Sequence, residues 1–188
     1  MRIISGLYKG KRLFLPIDRK TRPLRDLVKE SIFNTLTHSK KLDFQFPNKN
    51  ILDLFSGTGS FGLECLSRNS RLVTFVENGK NALKTLKMNI KKLNLGKKTF
   101  VFDNSVFHFL DKITKIEDGY DLVFLDPPFK SENLSILIKL IKDKKLVNKN
   151  GIMITHRHKK TKDDILENFE FKLEKNYGLS KITFTLFN

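Results

Sequence analysis

An α/β fold, with a mostly parallel sheet closed by a C-terminal antiparallel hairpin, is what three features of this 188-residue chain predict. Short apolar runs alternate with helical stretches from residue 51 to 155, the repeat that builds a parallel sheet covered on both faces. The first run leads directly into a glycine-rich turn, DLFSGTGSFG (53–62). The last two runs, near 170–176 and 180–187, have only YGLS between them, a connection that suits nothing but a hairpin.

The elements follow in order. Residues 1–25 carry Arg2, Lys9, Lys11, Arg12, Arg19, Lys20, Arg22 and Arg25 against a single acid, Asp18. Gly6, Gly10 and Pro16 break this stretch into short turns, and IISG and RLFL alternate with the charges. Residues 1–22 are expected to form a small basic β-hairpin arm that contacts phosphates, with 23–188 as the main domain. Leu24, Leu27, Val28, Ile32 and Leu36 then make one helical apolar stripe, with Pro23 near its start and Asp26 in its first turn. Phe44 to Asn50 reads as a loop. Strands are expected at ILDLF (51–55), LVTFVE (72–77), TFVFD (99–103), YDLVFLD (120–126) and GIMIT (151–155). Helices are expected near 60–68, 79–93, 105–112 and 131–145.

Composition narrows the partner. A net charge of +16 points to a polyanion, although the abundance of Lys, Asn, Ile and Phe makes part of that charge compositional. No apolar run approaches the roughly 20 residues that span a bilayer. The start, MRIISGLYKGKRL, has no apolar core of a signal peptide, so a cytoplasmic protein without membrane contact is expected. The single cysteine, Cys65, excludes an internal disulfide and a cysteine-built zinc site, and reads as a small hydrophobe on a helix. His156 and His158 stand two apart in THRHKK with no carboxylate between them. They read as solvated surface or polyanion contact on a basic loop, and no metal is expected.

The glycine loop selects a cofactor. Gly57-Thr-Gly59-Ser-Phe-Gly62 matches the dinucleotide fingerprint, and Glu77, twenty residues after Gly57, sits where a ribose-binding acid belongs. Asp53 at the strand end would repel a pyrophosphate but attract the sulfonium and ammonium of S-adenosylmethionine (AdoMet). Phe55 and Ser56 lengthen the path from strand to glycines and leave room for an amino-acid moiety over the loop. Glu77, followed by Asn78, is suited to accept both ribose hydroxyls. The expected architecture is therefore a Rossmann-like class I AdoMet methyltransferase.

The stretch YDLVFLDPPF then finds its purpose. Pro127 and Pro128 end the strand and stiffen its exit, leaving Asp126 and Phe129 side by side. In a doubly wound sheet the first and fourth strands flank the switch point, so DLFSGTG and DPPF face one pocket. An exocyclic amine of a nucleobase is a poor nucleophile, its lone pair being delocalised into the ring. Hydrogen bonds from that amine to Asp126 and the Pro127 carbonyl favour a pyramidal nitrogen, and Phe129 is placed to stack on the extruded base. Methyl transfer by direct in-line displacement needs positioning and no covalent intermediate.

Three stretches together, RIISGLYKGKRL (2–13), RPLRDLVKESIFN (22–34) and LDLFSGTGSFGLECLSR (52–68), followed by DPPF, resemble the bacterial 16S rRNA guanine-N2 methyltransferases of the RsmD type. The resemblance implies a monomeric AdoMet enzyme that modifies one small-subunit guanine, position 966 in the usual rRNA numbering, within the 30S subunit or an assembly intermediate. It assigns Asp53, Gly57 and Gly59 to the methionine part, Glu77 to the ribose, Asp126 to Phe129 to the base, and Arg2, Lys9, Lys11, Arg12 and Arg22 to RNA. Leu24 departs from the Thr usual after Arg-Pro. FDNSV (102–106) departs from the usual Asp-Ala, leaving the adenine contact to Asn104, Ser105 or Asp103.

Other functions fit less well. A DNA adenine or cytosine amino-methyltransferase shares the D-P-P-F chemistry but needs a sizeable target-recognition insertion, which the chain lacks. Protein-glutamine methyltransferases normally carry Asn where Asp126 stands. A non-catalytic RNA-binding module has no need of Asp53, Gly57, Gly59, Glu77 and Asp126 together.

Overall fold

The computed structural model describes residues 1–16, 24–113, 118–128, 134–161, 169 and 171–187. Its elements are α1 (Asp26–His38), β1 (Asn50–Leu54), α2 (Ser60–Ser67), β2 (Leu72–Glu77), α3 (Lys80–Lys92), β3 (Thr99–Asp103), α4 (Val106–Lys112), β4 (Tyr120–Leu125), α5 (Leu134–Asp143), β5 (Val147–His158), β6 (Lys172–Tyr177) and β7 (Ser180–Leu186). The seven strands form one sheet in the order β3-β2-β1-β4-β5-β7-β6. β1 to β5 run parallel to one another, and β7 pairs antiparallel with both β5 and β6. This is the fold class expected from the alternation and from the short YGLS connection.

The period of two along each strand sorts side chains onto two cores. Ile51, Phe75, Leu122, Phe124, Ile152 and Ile154 pack with α1, α2 and α3 on one face. Leu52, Leu54, Val76, Val123, Leu125 and Met153 pack with α4 and α5 on the other. Phe61 of α2 stacks on Phe124 of β4 with ring centroids 4.1 Å apart. That contact ties the helix after the glycine loop to the strand that ends in DPP. The edge strand β6 alternates exposed and half-buried residues, and its Lys172, Glu174 and Lys175 discourage pairing with another chain.

One expectation about α1 changes. Leu27 is 73% exposed, whereas Lys29 is fully buried, so the core-facing stripe is Leu24, Val28, Ile32, Phe33 and Leu36 with an ammonium among them. Lys29 is held there because Nζ donates to the Arg2 carbonyl at 2.7 Å and to Ser60 Oγ at 3.1 Å. The Glu64 and Asp26 carboxylates each lie 3.9 Å from it. Burial pushes the Lys29 pKa down, and these two carboxylates partly oppose the shift.

The basic N-terminal segment is joined at one bridge, Arg2 opposite Arg12, and docks on the domain rather than projecting from it. Ile3 and Leu13 are buried in the first core. The fully buried Glu64 of α2 accepts from the Ile4 and Ser5 amides at 2.7 and 2.9 Å, and Asn89 of α3 accepts from the Phe14 amide at 2.7 Å. Each contact satisfies backbone donors that a β-ladder would otherwise have to serve.

Gly6 is the tightest point of this docking. Its φ is +81°, and a Cβ there would lie 1.9 Å from the Ser67 carbonyl oxygen. Gly6→Ala is expected to weaken the seat of the segment by roughly 1–3 kcal/mol, through steric conflict plus left-handed strain. Hydrogen exchange would show it as faster exchange at the Ile4, Ser5 and Leu7 amides. Unchanged protection there would mean that the docking seen at Ser67 is not what holds the segment.

Candidate active site

The carboxyl ends of β1, β2 and β4 meet at the switch point between β1 and β4, where doubly wound sheets bind ligands. β1 delivers Asp53, whose side chain points to the α2 face and is 1% exposed. Asp53 Oδ2 accepts from the Gly62 amide at 3.0 Å, so this carboxylate braces the start of α2 from beneath the loop. Between them the chain winds through left-handed backbone at Phe55 (φ 60°), Gly57 (φ 56°) and Gly59 (φ 80°). A phenylalanine in that region carries strain of about 1 kcal/mol or more, which a packed loop must hold in place.

Glu77, at the end of β2, organises the other side. Its Oε2 accepts from the Gly57 amide at 2.7 Å, and Oε1 accepts from the Asn78 and Gly79 amides at 3.0 and 2.8 Å. One carboxylate thus links the glycine loop to the start of α3. Three of its four lone-pair sites are thus used, and the one left on Oε2 is free for a further donor, such as a ribose hydroxyl.

Asp126 follows β4. Its amide donates to the Leu54 carbonyl at 3.3 Å, which anchors the exit of β4 to β1. Burial pushes the Asp53 carboxyl pKa well above its ordinary 3.8; the Gly62 hydrogen bond opposes the shift, and the Asp126 and Glu77 charges add to it. The Asp126 and Glu77 charges both bear on Asp53, which makes this end of the sheet a poor site for a pyrophosphate. Ser56 Oγ is buried in the loop with no hydrogen-bond partner among the described residues, an unsatisfied polar atom where a ligand group fits. Both observations suit a cationic, phosphate-free cofactor such as AdoMet.

The raised Asp53 value has a measurable consequence. The folded state binds this proton more tightly than the unfolded state, so its contribution is present below pH 3.8 and is lost as pH rises through the higher folded value. Asp53→Asn keeps an oxygen for the Gly62 amide and removes the charge. The ligand-free variant is expected to melt above wild type at neutral pH, the gap closing toward pH 4. Parallel melting curves at every pH would mean that Asp53 is not strained by burial.

Among the candidates for the adenine contact, each side chain has a local partner. Asp103 pairs with Lys87 at 3.4 Å, both more than half exposed. Asn104 Oδ1 accepts from the Ser105 amide at 2.8 Å, and Ser105 Oγ caps α4 by accepting from His108 N at 3.1 Å. Arg2, Lys9, Lys11 and Arg12 are all exposed. The bridge sets Arg2 and Arg12 opposite each other, a like-charge pair that an anion would relieve. Phe129 and Arg22 lie outside the described residues.

One expectation is overturned. His156 and His158 lie on β5, not on a loop, and His156 is only 8% exposed. β7 pairs with β5 through His156, Arg157 and His158, whereas β4 pairs with it only as far as Thr155. The hairpin therefore carries β5 three residues past its parallel neighbour. The overhang sets His156 Nδ1 2.9 Å from Asp126 Oδ1, and Arg157 Nη1 donates to the Pro128 carbonyl at 3.3 Å. The run of basic residues hid this pair; the T-F-T-L-F alternation in the last strand was the available signal for it.

The chain also has relatives among known proteins. The family model described as Conserved hypothetical protein 95 matches residues 1–186. YlbH of Bacillus subtilis is 33% identical over 183 residues, covering 97% of this chain and 96% of its own. The Ribosomal RNA small subunit methyltransferase D of Haemophilus influenzae is 32% identical over 180 residues, covering 95% of this chain and 90% of its own. The solved yhhF structure of Escherichia coli superposes with a TM-score of 0.83 at 26% identity, covering 99% of this chain and 97% of that one.

Proposed function

The chain belongs to the Conserved hypothetical protein 95 family, that of the RsmD-type AdoMet-dependent rRNA methyltransferases, and from that premise we propose its substrate: the exocyclic N2 amine of one guanine, position 966, in 16S rRNA. The observation that carries the reading is Asp126, at the end of β4, beside a glycine loop ordered by Asp53 and Glu77. AdoMet supplies an electrophilic methyl group on a sulfonium. Asp53, Phe55, Gly57 and Gly59 hold its methionine part, Glu77 and Asn78 its ribose, and Asn104 and Ser105 its adenine side.

The protein's own residues do the rest. Asp126 and the Pro127 carbonyl accept the amine N–H groups and aim the nitrogen lone pair. As that nitrogen becomes cationic, the Asp126 charge stabilises it. The C–S bond breaks to leave a neutral thioether, and the extra N–H proton passes through Asp126 to water, which leaves the neutral methylated amine. Pro127 and Pro128 keep the two acceptors in place, and Phe129 stacks on the base, a contact worth about 1–3 kcal/mol. Arg2, Lys9, Lys11, Arg12 and Arg22, in an RNA-contacting unit of residues 1–22, neutralise phosphates around the target. The enzyme acts as a monomer in the cytoplasm, on the 30S subunit or an assembly intermediate.

The test is to incubate the purified protein with labelled AdoMet and 30S particles from cells lacking this activity, then map the label by digestion and mass spectrometry. N2-methylguanine at one small-subunit position is the expected product. Label on DNA or protein, with none on the particle, would overturn the substrate.

A further inference from the structure

We propose that His156 is a positioning residue for methyl transfer, fixing one oxygen of Asp126 so that the other faces the target amine. The inference rests on the reading of Asp126 given above. Its basis is a chain of contacts at the overhanging end of β5. His156 Nδ1 is 2.9 Å from Asp126 Oδ1, and His156 Nε2 is 2.8 Å from Ser180 Oγ, at the start of β7. With the Ser180 hydroxyl as donor to Nε2, the tautomer this proposal assigns, the ring proton sits on Nδ1, the nitrogen that lies beside the carboxylate.

Nε2 is hydrogen-bonded to Ser180 Oγ, while the buried Nδ1 meets the Asp126 carboxylate by close charge contact rather than by an aligned hydrogen bond, so the ring is held at one end and abuts the carboxylate at the other. Asp126 itself keeps 22% of its side-chain surface exposed, so the carboxylate stays within reach of a substrate. The next residue, Arg157, is 2% exposed and donates to the Pro128 carbonyl, so one strand end braces both the carboxylate and the proline backbone. A carboxylate free to rotate would present its lone pairs to the amine in many orientations. A misplacement of about 1 Å in such a group can cost on the order of a hundredfold in rate.

Two amide replacements separate positioning from packing. The side-chain nitrogen of Asn falls where His carries Nδ1, whereas that of Gln falls where it carries Nε2. His156→Gln is expected to lower kcat on 30S particles roughly ten- to a hundredfold, with AdoMet affinity and KM unchanged. His156→Asn is expected to recover most of that loss, and Ser180→Ala to give a smaller fall in kcat alone. Equal losses in the Asn and Gln variants, or a rise in KM with kcat intact, would overturn the proposal.

A readout without substrate tells this failure from a failure of the function. Nitrogen-15 spectra of the His156 ring are expected to show the Nδ1–H tautomer in the wild-type protein, with its proton resonance shifted by Asp126→Ala. An Nε2–H tautomer, or a resonance indifferent to Asp126, would overturn the positioning role. The expected tautomer in a wild-type protein that methylates no 30S particle would instead overturn the substrate reading.

Discussion

Asp126→Ala is expected to lower the rate of methyl transfer about a hundred- to a thousandfold, the range seen when one preorganised stabilising group is removed. AdoMet affinity should stay near wild type, because the loop contacts of Asp53 and Glu77 do not pass through this side chain. The fold should also survive, since the Asp126 amide, not its carboxylate, bonds to the Leu54 carbonyl. Removing a charge that raises the Asp53 pKa should, if anything, ease the burial of that group. The checks are calorimetric AdoMet binding beside single-turnover transfer to 30S particles. Loss of cofactor binding in step with activity would move Asp126 from the base to the cofactor.

Glu77→Ala is expected to do the reverse and weaken cofactor binding first. The carboxylate accepts three backbone amides, from Gly57, Asn78 and Gly79, and its loss leaves donors that water must satisfy. Losing one ribose contact to a charged acceptor, at about 1.5–3 kcal/mol, means a fall of roughly ten- to a hundredfold in AdoMet affinity. Glu77→Gln should fall between, because its single oxygen can serve one side of the bridge but not both. Calorimetry on the three proteins orders them directly. An Ala variant that binds AdoMet as tightly as wild type would place the ribose elsewhere.

The basic segment illustrates how electrostatics and packing divide their roles. Its exposed charges, Arg2, Lys9, Lys11 and Arg12, surround a backbone that Glu64, Ser67 and Asn89 hold by hydrogen bonds. Lys29 donates at once to the Arg2 carbonyl and to Ser60, the first residue of α2, so the segment and the helix after the glycine loop share one buried ammonium. The arm is thereby built into the same domain face as the cofactor loop.

Periodicity and punctuation alone determined much of this protein. The strand and helix order, the hairpin enforced by YGLS, the left-handed turn at Gly57 and Gly59, and the strand exit at Pro127 and Pro128 are local consequences of sequence, because backbone dihedral limits act between neighbours. The positions of Asp53, Glu77 and Asp126 were legible for the same reason: each falls at, or within two residues of, the end of an apolar run. What the tertiary structure decided are contacts between residues far apart in the chain. Lys29 rather than Leu27 enters the core because Arg2 and Ser60 supply oxygens there, and no helical period announces partners 27 and 31 residues away. Glu64 looks like an ordinary helix acid until the Ile4 and Ser5 amides arrive from 60 and 59 residues upstream. His156 and Arg157 read as a basic loop because nothing within THRHKK shows that β7 prolongs the strand beneath them. Their meeting with Asp126 and Pro128 is created by strand pairing, and pairing is the property that a local pattern does not encode.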